Sequence, residues 1–291
     1  MRSLRLFASQ LAKRSNGIQH QHALAGVVLR EVLSFLRRDR SVTLAEFFDR
    51  FGRVVDLIQS SCSYAPLVVN SLAFVRRGLA QQVSVSKARS HLLLQCSLAE
   101  SWLKDAQAVL ASILIERIPR GGTVVVHGDD PLLLQAVHSC IEKKRCEVLL
   151  LEGGVSRTLS KYSLLKHSLD RVRVIPDLSA RDAVVRADVV LLSALAVTPA
   201  RIACPAGSGM LSDLSAMHGV PVYVVAPSWL FDPREEFLGS LFVGVSHRGK
   251  SVLRPDVLSE KEITGIISEG GIFSLKSFVE ELAESLPWIT Q

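Results

Sequence analysis

The chain has 291 residues, 48% of them hydrophobic, with five cysteines, a formal charge of +6 and an isoelectric point near 9.2. That apolar content excludes a disordered chain and allows two domains, and no apolar run approaches the ~18–20 residues of a membrane span, so the chain reads as soluble with no membrane partner. Basic residues are dispersed among acids and not interleaved with aromatics, which argues against direct nucleic-acid binding; the odd cysteine count without a C-x-x-C pair reads as buried thiols in a reducing compartment, with no metal site.

Arg2, Arg5, Lys13, Arg14 and Arg30 precede the first acid, Glu31, while Leu4, Leu6, Phe7 and Leu11 fall near helical spacing. This is the composition of a mitochondrial transit peptide, and equally of an N-terminal helix that belongs to the fold. From Ala23, Leu24, Val28, Val32, Phe35 and Leu36 line one helical face that ends in Arg37 and Arg38, charges suited to a helix C-terminus. Thr43 with Glu46 three residues on predicts a second helix start, followed by Phe47, Phe51, Val54, Val55 and Ile58. A third helix is expected over Leu67–Leu79 and a long fourth over His91–Ile118. Residues 1–118 thus read as a helical domain, and Pro119-Arg120-Gly121-Gly122 turns the chain into a different architecture over 119–291.

There, five short apolar runs alternate with helical segments: Thr123–Val126, Glu147–Leu151, Val172–Ile175, Val189–Leu192 and Val222–Val225. Runs of Val, Leu and Ile without polar alternation are the mark of parallel strands buried on both faces, so a Rossmann-like α/β domain is expected. Asp130-Pro131 predicts an N-cap and first helical residue after strand one, and Ser179 with Asp182 a capping-box-like start after strand three. Ser259 with Glu262 predicts a short helix ending at Gly270-Gly271, and Ser274 an amphipathic helix through Phe278, Leu282 and Leu286.

Open α/β sheets bind ligands beyond the carboxyl ends of their strands, so candidate site residues follow the runs. Gly207-Ser208-Gly209 after strand four opens a helix, where backbone amides can hold a phosphate; a plain left-handed loop is the alternative. Glu152-Gly153-Gly154 after strand two permits close approach of a ligand, or is only a turn. His127 is a phosphate donor, a base or a structural histidine; Gly128 follows it, Asp130 is assigned to capping and Asp129 to a hydroxyl acceptor. Asp177, just past strand three, is the best placed remaining acid. These groups do not make a catalytic set.

Taken together, the segments Leu33-Ser34-Phe35-Leu36-Arg37-Arg38-Asp39-Arg40, Gly121–His127, Asp177, Ala187-Asp188-Val189-Val190, Pro221–Ala226, the Gly207-Ser208-Gly209 loop, Pro255-Asp256-Val257 and Ile263–Gly271 resemble one family. It unites the alpha, beta and delta subunits of eukaryotic translation initiation factor 2B with ribose-1,5-bisphosphate and methylthioribose-1-phosphate isomerases, and the alpha subunit is the nearest likeness. Leu33–Arg40 looks like that subunit's EFLKRDK stretch, and the C-terminal segments resemble the family's shared signature, whose isomerase form reads DVTP then ITGIITE, the most specific element. The chain departs from the isomerases where Ser193-Ala194-Leu195 stands in place of Gly-Ala-Asp, Cys204-Pro205 in place of an asparagine-lysine pair, Gly153-Gly154-Val155 in place of a cysteine or acid, and Pro131 in place of an arginine.

The resemblance implies a non-catalytic regulatory subunit without cofactor: a homodimer that joins the other initiation factor 2B subunits in the cytoplasm and senses phosphorylated initiation factor 2. Arg37, Arg38, Arg40 and Lys87 are then the candidates for meeting an acidic partner, and a solvated basic face is the plain alternative. A sugar-phosphate aldose-ketose isomerase using Asp177 and His127 is the rival reading, and a mitochondrial structural offshoot of the family a third.

Overall fold

The computed structural model describes residues 21–62, 65–153, 170–241 and 254–290; the expected transit segment, and Gly154 and Val155, lie outside them. The chain divides into two compact units, 1–105 and 106–291.

In the first unit, helix α1 (Gln21–Arg38) and helix α2 (Leu44–Cys62) both pack on α3 (Pro66–Arg76), and α4 (Val85–Arg117) begins after a left-handed turn at Gly78. Phe47 stacks on Phe51, which in turn meets Phe35 at a ring separation of 6.1 Å, filling the core that the apolar spacing anticipates. Thr43 caps α2 as expected: its Oγ1 accepts from the Glu46 amide at 3.2 Å, while the Glu46 carboxylate reaches the Val42 amide. The third helix stops three residues before the expected end, because the chain turns at Arg77-Gly78 into a single 3-10 turn.

The second unit holds a seven-stranded sheet. In chain order its elements are β1 (Thr123–His127), α5 (Pro131–Lys144), β2 (Glu147–Leu151), β3 (Val172–Ile175), α6 (Ala180–Val185), β4 (Val189–Ser193), β5 (Ala196–Val197), β6 (Ile202–Cys204), α7 (Ser208–His218) and β7 (Val222–Val225). These are followed by α8 (Glu236–Leu241), β8 (Asp256–Leu258), β9 (Gly265–Ser268), β10 (Gly271–Phe273) and α9 (Leu275–Ser285). The sheet order is β10-β9-β7-β4-β1-β2-β3, parallel throughout except for the antiparallel edge strand β10. Without that edge strand this is the doubly wound arrangement in which strand order reverses between β1 and β4.

Burial explains the apolar runs. Val124, Val126, Val148, Leu150, Val189 and Leu191 lie in one core with Leu110, Leu114 and Ile118 from the end of α4 and Leu133, Val137 and Ile141 from α5. At ~25 cal/mol per Å2, each such fully buried side chain contributes about 1.5–3 kcal/mol before entropy is counted. The Gly122 approach to β1 has a steric reason: a Cβ there would sit 2.8 Å from Asp188 Oδ2, the atom that accepts from the Thr123 amide. All five cysteines are free and buried, as expected of incidental thiols.

Two expectations are corrected. Ser259 and Glu262 do form a capping box, but it closes one 3-10 turn only, and the predicted helix is replaced by β9 and β10. Thr264 clamps the incoming strand to Val222 through both its amide and its hydroxyl, and Ile266 and Ile267 are fully buried, so tertiary pairing overrides the local start signal. Ser179 makes no side-chain cap; α6 follows a 3-10 turn over Asp177–Ser179. A further antiparallel sheet, β5-β6-β8, is too short to leave a periodic signal. Among the described residues, no helix is long and apolar enough to cross a membrane.

Candidate functional site

The carboxyl edge of the large sheet collects most of the expected site residues. His127 and Gly128 end β1, Ser193 ends β4, and the two strands flank the point where strand order reverses. His127 is 1% exposed; its Nε2 donates to the Ala206 carbonyl at 2.9 Å, which fixes the ring beside the loop leading into α7. Gly207 packs against that ring: a Cβ there would come within 3.4 Å of His127 Nε2, and its φ of 99° is one that side chains avoid. The bond from His127 to Ala206 ties β1 to the glycine loop.

That loop does open a helix, as expected, but its amides are engaged from within. Asp256, at the start of β8, accepts from the Gly207 amide at 2.9 Å and from the Gly209 amide at 2.8 Å through a single oxygen, Oδ2. A carboxylate therefore sits where a helix N-terminus favours negative charge, the position a ligand phosphate would take. Ser208 is buried and donates its hydroxyl to the Pro205 carbonyl at 2.7 Å. Of the groups expected to hold a phosphate, Gly207 and Ser208 both have their donors satisfied by the protein itself.

Gly128 has φ of 111°, and a Cβ at that position would lie 2.0 Å from Ser193 Oγ. The crossover point between β1 and β4 is therefore closed by direct contact between the two strand ends. Asp130 caps α5, accepting from the Leu132 amide at 2.8 Å, and Pro131 occupies the first helical position; Asp129 is half-buried before it.

On the other side of β1, Asp177 Oδ1 accepts from the Gly153 amide at 2.9 Å, so it is brought against the turn that follows Glu152, itself exposed. Two strand spacings, about 10 Å, separate β3 from β1. The structure thus forms two clusters, His127 with Gly207 and Asp177 with Gly153, on one edge. Leu195 continues from β4 toward the small sheet, where it is half-buried against Ala196, Ala203 and Leu238.

At β7 and β9 the same edge carries a pair that sequence reasoning missed. The Glu269 carboxylate accepts from the Ser228 amide at 3.0 Å and from the Ser228 hydroxyl. Burial pushes the Glu269 carboxyl up, and the Ser228 hydroxyl and the backbone amides oppose that shift. The signal for Asp256 and Glu269 lay in the C-terminal segment carrying the resemblance, but neither residue follows one of the five legible strands.

The basic candidates lie in the first unit. Arg37, Arg38, Arg40 and Lys87 are all exposed, and Arg38 donates to Ser34 Oγ. Beneath them Asp39 is buried, with Arg50 at 3.1 Å and Arg89 at 3.0 Å. Among the described residues, no group of three or more His, Cys, Asp or Glu side chains is placed to hold a metal ion.

A doubly wound parallel sheet with a helical N-terminal part and a loop-built carboxyl edge defines a Rossmann-like α/β protein. Residues 18–244 match the initiation factor 2 subunit family, and the chain belongs to it. No curated protein matches the sequence. In fold, the chain is similar to the translation initiation factor eIF-2B of Pyrococcus horikoshii OT3, with TM-score 0.73 and 19% identity over 94% of this chain and 97% of that one. The tetrameric eIF2B-beta2-delta2 complex of C. thermophilum contains a chain at TM-score 0.75 and 14% identity, over 97% and 94%. The 5-methylthioribose 1-phosphate isomerase of Pyrococcus horikoshii OT3 matches equally well in shape, with TM-score 0.75 and 17% identity over 95% and 87%. The fold is thus shared by initiation factor subunits and by an isomerase.

Proposed function

We propose that this chain is a non-catalytic regulatory subunit of an initiation factor 2B-type exchange complex, most like the alpha subunit. It acts in the cytoplasm, as a homodimer that binds other subunits and senses phosphorylated initiation factor 2. The observation that carries this reading is Leu195, which stands where the resemblance puts an isomerase acid and is half-buried against Ala196, Ala203 and Leu238. A hydrocarbon side chain cannot shuttle a proton, so aldose-ketose chemistry lacks its acid at that position. The exposed Arg37, Arg38, Arg40 and Lys87 are the groups proposed to meet the acidic partner, by charge complementarity. His127, Gly128, Asp129, Glu152, Asp177, Gly207 and Ser208 remain the proposed lining of a ligand site, without turnover.

The isomerase reading has its own support in the likeness to methylthioribose-1-phosphate isomerase and in Asp177 and His127 on one sheet edge. Affinity purification of the tagged chain from its native cell, with mass spectrometry of co-purifying chains, separates the two. Recovery of the other initiation factor 2B subunits is expected. Their absence, together with exchange of a carbon-bound proton of an added aldose phosphate, overturns the proposal.

A further inference from the structure

The chain leaves α1 at Arg38 and does not become helical again until Leu44, so Asp39–Thr43 is a short link without regular structure. Its side chains alternate in burial: Asp39 and Ser41 point in, while Arg40, Val42 and Thr43 are exposed, Val42 at 86%. Asp39 anchors the link from below, accepting from the Ser41 amide at 3.1 Å and from the Ser41 hydroxyl at 2.9 Å. Thr43 therefore stands on a fixed, outward-facing turn, with Arg40 three residues and Arg38 five residues before it and the apolar Leu44 directly after. Of the two hydroxyls on the link, the buried Ser41 is held by Asp39 and the exposed Thr43 is accessible.

We propose that Thr43 is a phosphorylation site for a basophilic protein kinase, one that reads arginines three and five residues before its acceptor. Such kinases choose substrates by charge pattern, and arginine forks pair bidentately with carboxylates lining a kinase cleft. Arg38, at the end of α1, and Arg40, on the non-helical link, are both exposed, and pairing with the kinase requires Arg38 to leave its contact with Ser34 Oγ. The Thr43 hydroxyl accepts the Glu46 amide, which leaves its proton available to a base. In the transfer, Thr43 Oγ1 attacks the γ-phosphorus of ATP and forms a new O–P bond. The bond from that phosphorus to the β–γ bridging oxygen breaks, ADP departs, and the hydroxyl proton goes to the kinase's catalytic aspartate.

The product places about two negative charges at the N-terminus of α2, where the helix dipole favours them. Arg50 reaches this link, 3.1 Å from Asp39 Oδ1, whereas Glu46 opposes the new charge. The modification also reduces the positive potential of the face formed by Arg37, Arg38, Arg40 and Lys87. The site itself does not depend on what partner that face meets.

The test is phosphorylation of the folded full-length chain by a kinase of Arg-x-Arg-x-x-Ser/Thr specificity with ATP, followed by mapping of the modified residue by tandem mass spectrometry. Thr43 is expected to carry the main phosphate. Thr43→Asn, which keeps a capping side chain, should abolish it, and Arg38→Ala with Arg40→Ala should slow incorporation at least tenfold while circular dichroism stays unchanged. Phosphate mapped chiefly to Ser41 or elsewhere overturns the proposal. So does a folded chain that remains unmodified when a peptide spanning residues 36–47 is phosphorylated under the same conditions.

Discussion

Arg89, the fifth residue of α4, lies 3.0 Å from Asp39 Oδ2, and the Asp39 side chain is wholly buried beneath it. The same guanidinium donates to the Asp39 carbonyl at 3.2 Å, so it holds both the side chain and the backbone at the end of α1. Arg50 adds a contact from α2, which makes one carboxylate the tie between three helices. The exposed basic residues of this region are therefore mounted on a fixed frame.

Removing the buried partner of such a pair leaves the remaining charges uncompensated, at a cost of about 3 kcal/mol. Asp39→Ala is expected to lower the urea midpoint accordingly. Burial by itself raises the Asp39 carboxyl, but bonds from the Ser41 side chain and backbone and from Arg89, with the charge of Arg50, outweigh it and hold the group below its ordinary 3.8. A lowered native value means stability that is present above 3.8 and lost as the pH falls through the native value. Denaturation curves from pH 6 to pH 2 should show that loss in the native sequence and not in Asp39→Asn; parallel curves would remove Asp39 from the frame.

Asp256 gives a second expectation. It satisfies two amides at the start of α7, so Asp256→Ala should cost about 1–2 kcal/mol, the worth of a helix cap. Asp256→Asn retains an accepting oxygen but loses the charge at the positive end of the helix, and should cost less than half as much. Equal losses in the two variants, measured by chemical denaturation, would show that packing and not capping accounts for the residue.

Four of the five runs were legible because each is short, apolar and largely buried on both faces, the edge strand β3 because its Val172, Val174 and Ile175 are apolar, and Asp130-Pro131 announced α5 by local chemistry alone. What sequence did not reveal was set by distant partners. Ile263-Thr264-Gly265 reads as a helix interior after a capping box, yet the Thr264 clamp on Val222 makes it a strand. The small sheet has strands of two or three residues, below any period. The site residues His127 and Asp177 were found from strand ends, but the carboxylate that occupies the glycine loop comes from Asp256, 47 residues away from Gly209 in sequence. No spacing rule connects them.

The contact that closes the β1–β4 crossover is testable at Gly128. Gly128→Ala must place a Cβ 2.0 Å from Ser193 Oγ and 2.9 Å from Ser193 Cβ, on a backbone with φ of 111°. Overpacking and backbone strain each cost about 1–3 kcal/mol, so the variant should lose at least ~2 kcal/mol of stability. Adding Ser193→Gly relieves the clash and not the strain, and should restore only part of that loss. Full restoration in the double variant, by thermal or chemical melts, would mean that the φ value carries no penalty.

Glu269 and Ser228 join the ends of β7 and β9, and here the pH dependence has the opposite sign to that of Asp39. Burial pushes the Glu269 carboxyl above its ordinary 4.5, against the bonds from the Ser228 hydroxyl and the backbone amides. The native state therefore holds the proton more tightly than the unfolded chain, so the group favours folding below 4.5 and that favour is lost as the pH rises through the native value. The stability of the native sequence relative to Glu269→Gln should fall over that interval and be level on either side of it. Ser228→Ala removes the strongest opposing bond, so it should move the fall to higher pH. A fall that stays in place after Ser228→Ala, followed in urea melts from pH 4 to pH 8, would show that the hydroxyl does not set the carboxyl's proton affinity.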